Sequence, residues 1–272
     1  MTNTDVPNTD KLPVWKTIID SYRITLSNLP ALMRISWPWL IVLIIGIAVL
    51  NWGLWPLEQA ARKADKGYSS ILFILTGLVS ACIGSAIAVP WHRYVLLNEK
   101  TDGTSIALHN KHVLRYFLWV AAMLAVFFMP VLAIISTTAP TNATDNDAEF
   151  ILGLVLSLAV SAWWIAWLFV SPRLSLILPA IALGQSNVTL AGAWNATHKN
   201  TWRLAIATFA VLLLSLFLGI AYVYLIGEPE TRTGFALWNC VNEMIWMLGG
   251  MTSVTLLSLA YRHFFGPFEQ LA

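Results

Sequence analysis

Apolar positions in this chain do not alternate as in a strand. They gather into six almost uncharged runs, at approximately 35–55, 69–91, 116–137, 150–170, 204–225 and 235–261. Each run is close to the ~20 residues that cross a hydrocarbon core about 30 Å thick. A backbone in lipid must satisfy its own polar groups, so each run predicts a helix. The expected fold is all-α: a polytopic membrane protein of six transmembrane helices. Pro38 lies near the start of its run, where a missing N–H costs little, and Pro90 near the end of the second. Pro130 is interior and predicts a kink in the third helix.

The polar connections carry a second pattern. Ahead of the first run, Trp15, Ile18, Ile19, Tyr22, Leu26 and Leu29 recur at spacings of 3 and 4, while Lys16, Asp20 and Arg23 fall elsewhere on the same helix. That periodicity predicts an amphipathic helix lying in the membrane interface. The connection 173–203 predicts two more short interfacial helices, with Gly184 as the stop and the following Gln-Ser-Asn as a new N-cap. The apolar face of Leu174, Ile177, Leu178 and Ile181 would lie on the membrane. The chain thus divides into an N-terminal segment 1–34, a membrane domain 35–261 and a tail 262–272. Shifting by 172 residues aligns Tyr22 with Trp194, Thr25 with Thr197 and Asn28 with Asn200, which suggests three hairpins in parallel.

Charge sets the orientation. With the N-terminus inside, 12 Lys and Arg fall on inner segments and 4 on outer loops (Arg62, Lys63, Lys66 and Arg232), so both termini are expected in the cytoplasm. The first apolar run begins only near Ile35, and no cleavable signal is expected. Composition narrows the class further: 58% of positions are hydrophobic and 11% charged, against about 45–50% and about 25% in soluble domains, which excludes soluble and disordered chains. A net charge of +2 without basic clusters gives no footprint for nucleic acid. Cys82 and Cys240 sit inside apolar runs and suggest neither a metal cluster nor a disulfide framework.

The run 172–204, PRLSLILPAIALGQSNVTLAGAWNATHKNTWRL, joins an Arg after the fourth span to a Ser and Trp helix and a Lys-Asn-x-Trp-Arg lead into the fifth. With the ending LSLAYRHFFG, it resembles the YciC-like bacterial six-helix proteins related to the membrane domain of glycerophosphoryl diester phosphodiesterases. The resemblance implies a bacterial inner-membrane protein without an established activity. Its candidate interfacial motif here is Arg173, Trp194, Asn200, Trp202 and Arg203. The phosphodiesterase barrel has no counterpart, so hydrolysis is not implied.

Chemistry-bearing residues are sparse. His92, His109, His112, His198 and His263 all fall on the inner side. His109 and His112 share a helix face, but without a ligand set they are better read as headgroup-level polar residues, and no metal or cofactor is expected. No nucleophile elbow, phosphate loop or zinc motif occurs, so an enzyme is not expected. Many tryptophans, Trp37, Trp39, Trp52, Trp55, Trp91, Trp202 and Trp238, lie near span ends as belt anchors. Trp163, Trp164 and Trp167 lie deep in the fourth span, for packing or for an apolar ligand. Small-residue rows, Gly77, Ala81, Ser85 and Ser80, Gly84, Ala88, predict a central second span, with self-association as the alternative.

One acidic residue stands well inside a span. Glu243 belongs to a stripe on the sixth helix with Asn239, Asn242, Trp246, Gly249, Gly250 and Ser253, a candidate intramembrane polar site. It is expected to hydrogen-bond Asn239 or to face a wet cavity. A span starting near Asn242 would instead leave it at the outer headgroups. The functional expectation is a non-catalytic protein that organises the membrane or interacts with lipids or protein partners. A transporter or lipid mover using the stripe is the alternative.

Overall fold

A computed structural model describes residues 10–63, 70–99, 111–137, 146–185, 188–227 and 229–266. Among them every regular element is helical: α1 (Val14–Ser27), α2 (Leu29–Lys63), α3 (Ser70–Leu97), α4 (Lys111–Thr137), α5 (Asn146–Ser175), α6 (Ile177–Leu183), α7 (Leu190–Ala196), a 3-10 turn (His198–Asn200), α8 (Thr201–Ile226) and α9 (Arg232–Phe265). Six of these, α2, α3, α4, α5, α8 and α9, contain stretches long and apolar enough to cross a membrane. The protein is an all-α, multi-pass membrane bundle. α4 runs as one helix through Pro130.

The six long helices form a closed ring in chain order, each packed on the next and α9 returning to α2. α3 and α9 also meet across the ring, so α3 packs against α2, α4, α6 and α9, as its small-residue rows suggest. His263 Nε2 lies 3.3 Å from the Asp10 carbonyl, so the first and last described residues share one end of the bundle, called here the terminal end. In lipid, helices are held by close approach and hydrogen bonds, because the surrounding tails are as apolar as the side chains. Gly249 of α9 shows the limit of that approach: a Cβ there would stand 2.0 Å from Ser215 Oγ of α8.

Two connecting helices differ from expectation. α6 does not lie on the surface. It packs against α3, α4 and α9, burying Ile177, Leu178, Pro179, Ala180 and Ala182, and closes the terminal end of the ring like a plug. An apolar seven-residue helix fits a bundle interior as well as a lipid surface, and periodicity alone cannot choose between them. Gly184 ends it as foreseen, at φ +72, where an added Cβ would strike the His112 ring at 2.8 Å. Ser186 and Asn187 lie outside the described residues. The N-cap of α7 is Thr189, whose Oγ1 accepts from Gly192 N at 3.0 Å. α7 stays near the surface, packed on α5.

α1 has three faces rather than two. Trp15, Ile19 and Leu26 are exposed, Lys16 and Arg23 are also exposed on a separate side, and Thr17, Ile18, Ser21 and Thr25 are buried against α8 and α9. The helix is therefore fastened to the bundle through its hydroxyl row, which the apolar count overlooks. Asn28 breaks it, and Leu29 opens α2 instead of extending the apolar face. Pro30 sits in the first turn of α2, where its missing N–H costs nothing.

Candidate functional site

α9 starts at Arg232, ten positions before Asn242. Its N-cap is Thr231, whose Oγ1 accepts from Gly234 N at 3.1 Å. Glu243 therefore sits three turns into a continuous helix, with Arg232 behind it and Arg262 ahead near the other end. Its partner is not Asn239. Ser80 Oγ of α3 donates to Glu243 Oε2 at 2.9 Å, while Asn239 Nδ2 donates to Phe235 O of its own helix at 3.0 Å. A residue 163 positions away is invisible to a helical wheel, although Ser80 lies in a small-residue row already noted.

Asn239, Asn242 and Glu243 are all half-buried, and Trp246 is 40% exposed although it lies beside Gly219 of α8. Gly250, on the same face as Glu243 and Trp246, has no heavy atom within 4 Å of where a Cβ would stand. Within the most apolar stretch of α5 no residue is buried, although α4 and α8 flank that helix. α6 thus fills the ring at the terminal end, while the face of α9 around Gly250 is left open. Trp163 and Trp167 of α5 stack at 6.5 Å, and Trp164 stacks on Phe127 of α4 at 5.8 Å. Trp163 Nε1 and Ser253 Oγ are buried with no hydrogen-bond partner among the described residues. A buried polar atom left unpaired is costly.

A second polar cluster was not foreseen. His92 of α3 is fully buried, with Nδ1 2.7 Å from Ser258 Oγ and Nε2 3.1 Å from Tyr116 OH of α4. Ser258 spends its hydrogen on Val254 O at 3.0 Å. The bonds are all satisfied when His92 is neutral with its proton on Nδ1, donating to Ser258 and accepting from Tyr116. Beside it, Trp91 Nε1 donates to Thr255 Oγ1 at 2.8 Å, and Thr255 donates to Met251 O at 3.1 Å. Thr25 of α1 must then donate to Thr255, 2.8 Å away. Both chains end on backbone carbonyls of α9, so they offer no onward path for a proton. They fasten α1, α3, α4 and α9 together. The available sequence signal was the i, i+3 row Thr252, Thr255, Ser258 and the i, i+4 row Thr17, Ser21, Thr25.

The five motif residues divide into two structures. Arg173 is 8% exposed, donates from Nε to Thr197 Oγ1 at 3.1 Å and from one terminal nitrogen to Trp194 O at 2.6 Å, and lies 3.5 Å above the Trp194 ring. Asn200 clamps the segment just ahead of α1, accepting from Leu12 N at 2.9 Å and donating to Asp10 O at 3.0 Å. Arg203 donates to Leu12 O at 2.9 Å and lies over the ring of Trp202, which is exposed. Of the aligned residues, Asn28 and Asn200 each precede a long helix, α2 and α8. Thr25 and Thr197 are both buried but hold different partners. His109 lies outside the described residues, and no three potential metal ligands cluster among the described ones. No family model matches the chain, and neither a curated protein nor a solved structure matches it.

Proposed function

We propose that this protein is a non-catalytic component of the bacterial inner membrane, with both termini in the cytoplasm, that holds a membrane lipid in a cleft at the open face of α9. The observation that carries the reading is the stripe itself: Asn239, Asn242 and Glu243 are half-buried and Trp246 is 40% exposed, with open space beside Gly250 on the same face. Indole rings offer flat apolar area to an acyl chain, while the carboxyl and the two amides offer bonds to a hydroxyl or amine headgroup. The excess of 12 inner cations over 4 outer ones supports the orientation, and the resemblance at 172–204 supports the membrane assigned. A second reading, a lipid mover or transporter, is favoured by one feature. Glu243 is paired with a neutral hydroxyl, as an acid that exchanges a proton or cation would be.

The test is photo-crosslinking with a phospholipid carrying a diazirine in its acyl chain, mapped by mass spectrometry. Adducts are expected on α9 between 239 and 253 and on the Trp163–Trp167 turn. Gly250→Leu, which fills space now empty, should remove the α9 adducts while the protein stays folded. Adducts confined to outward residues such as Leu158 and Ile165, unchanged by Gly250→Leu, would refute the cleft as a lipid site.

A further inference from the structure

Away from the cleft, at the terminal end, the first turn of α1 and the first two turns of α8 enclose a groove of about 450 Å³. Its lining includes Val14, Trp15, Trp202 and Ile206, with two cations, Lys16 and Arg203. Trp15 is 73% exposed and Trp202 52% exposed. Arg203 is held in place by its bond to Leu12 O and its position over the Trp202 ring, which leaves further N–H donors unused among the described contacts. A smaller groove of about 210 Å³ on the other side of the same turn shares Lys16 and adds Arg262 and His263. Among the described residues, the carboxylates nearby are Asp20, which lines the smaller groove and lies 3.9 Å from Arg23, and Asp10 just ahead of the turn.

We infer that the larger groove binds an anionic phospholipid of the adjacent leaflet, its phosphate between Lys16 and Arg203 and an acyl chain along Val14 and Ile206 between the two indoles. Charge complementarity selects this occupant. The lining is almost wholly apolar, and among the described residues it holds two fixed-sign cations and no acid, which suits a chain bearing a negative headgroup and disfavours a peptide or a neutral lipid. Indoles at two neighbouring helix starts suit the headgroup boundary, where one side of the ring is wet. This site is separate from the cleft and does not depend on it.

Native mass spectrometry of the full chain in detergent, with added phosphatidylglycerol or phosphatidylcholine, tests the assignment. One cation at an anionic surface is worth about 1 kcal/mol, so two predict roughly thirty-fold preference for phosphatidylglycerol. Lys16→Glu, at an exposed side chain, should reverse its own share and abolish the preference, and Arg203→Gln should reduce it about five-fold. Glu243→Gln should leave it unchanged. Glycerol phosphate without acyl chains should not displace the lipid. Equal retention of both lipids by the wild type, or an undiminished preference in folded Lys16→Glu, would overturn the inference.

Discussion

His92→Ala is expected to destabilise the bundle by about 3–5 kcal/mol, measured as thermal or denaturant unfolding in detergent. Two contributions add. The lost imidazole leaves a void among α3, α4 and α9, and the Tyr116 hydroxyl, only 3% exposed with its residue, loses its partner at a cost of about 1–3 kcal/mol. The mechanism makes a sharper statement than the total. Once His92 is gone, Tyr116→Phe should cost almost nothing more, because the hydroxyl it removes is already unpaired. His92→Asn keeps a donor where Nδ1 was and should be milder than Ala. Strictly additive costs for His92→Ala and Tyr116→Phe would show that the two side chains are not coupled as the geometry describes.

Arg173→Lys should be nearly as harmful as Arg173→Ala, at about 2–4 kcal/mol, although it keeps the charge. The guanidinium is planar and stacked at 3.5 Å on Trp194 while it donates to Thr197 and to the Trp194 carbonyl. An ammonium cannot reproduce a stacked fork, and it gives up its water less readily. A desolvated cation–π contact is worth about 2 kcal/mol and a hydrogen bond from a charged group about 1.5–3. The damage should be local, with faster amide exchange in α7 and the 3-10 turn than in α3. Wild-type exchange in Arg173→Lys would mean that charge alone, and not the stacked geometry, holds that segment.

These two residues also show where the sequence is legible. The six spans follow from a rule with almost no exceptions, since lipid accepts neither free backbone polar groups nor frequent charges, and α2, α3, α4, α5, α8 and α9 stand where the runs stand. The α9 stripe follows from periodicity. Its partner does not, because Ser80 is brought to Glu243 by the packing of α3 on α9. His92 reads at the level of sequence as one more polar residue near a span end. Only the meeting of α3, α4 and α9 makes it a buried fastening. α6 failed for a related reason: hydrophobic residues state what they avoid, and both a membrane surface and the mouth of a bundle satisfy Ile177, Leu178 and Ala180. In α1, counting apolar residues found Trp15, Ile19 and Leu26, which turn outward, but put Ile18 and Tyr22, which pack against the bundle, on the same face. The face that fixes the helix carries Thr17, Ser21 and Thr25, because hydroxyls on a close-packed surface can bond across it.

We propose that Glu243 lies within the bilayer, on the open face of α9. Carbodiimide labelling of the protein in native membranes, read residue by residue by mass spectrometry, tests it most directly. A carbodiimide that partitions into lipid should modify Glu243, and a water-soluble one with an added amine should modify the exposed Glu230, just ahead of α9, while sparing Glu243. Modification of Glu243 by the water-soluble reagent at the rate seen for Glu230 would instead place the carboxyl at the outer surface, in water and not in lipid.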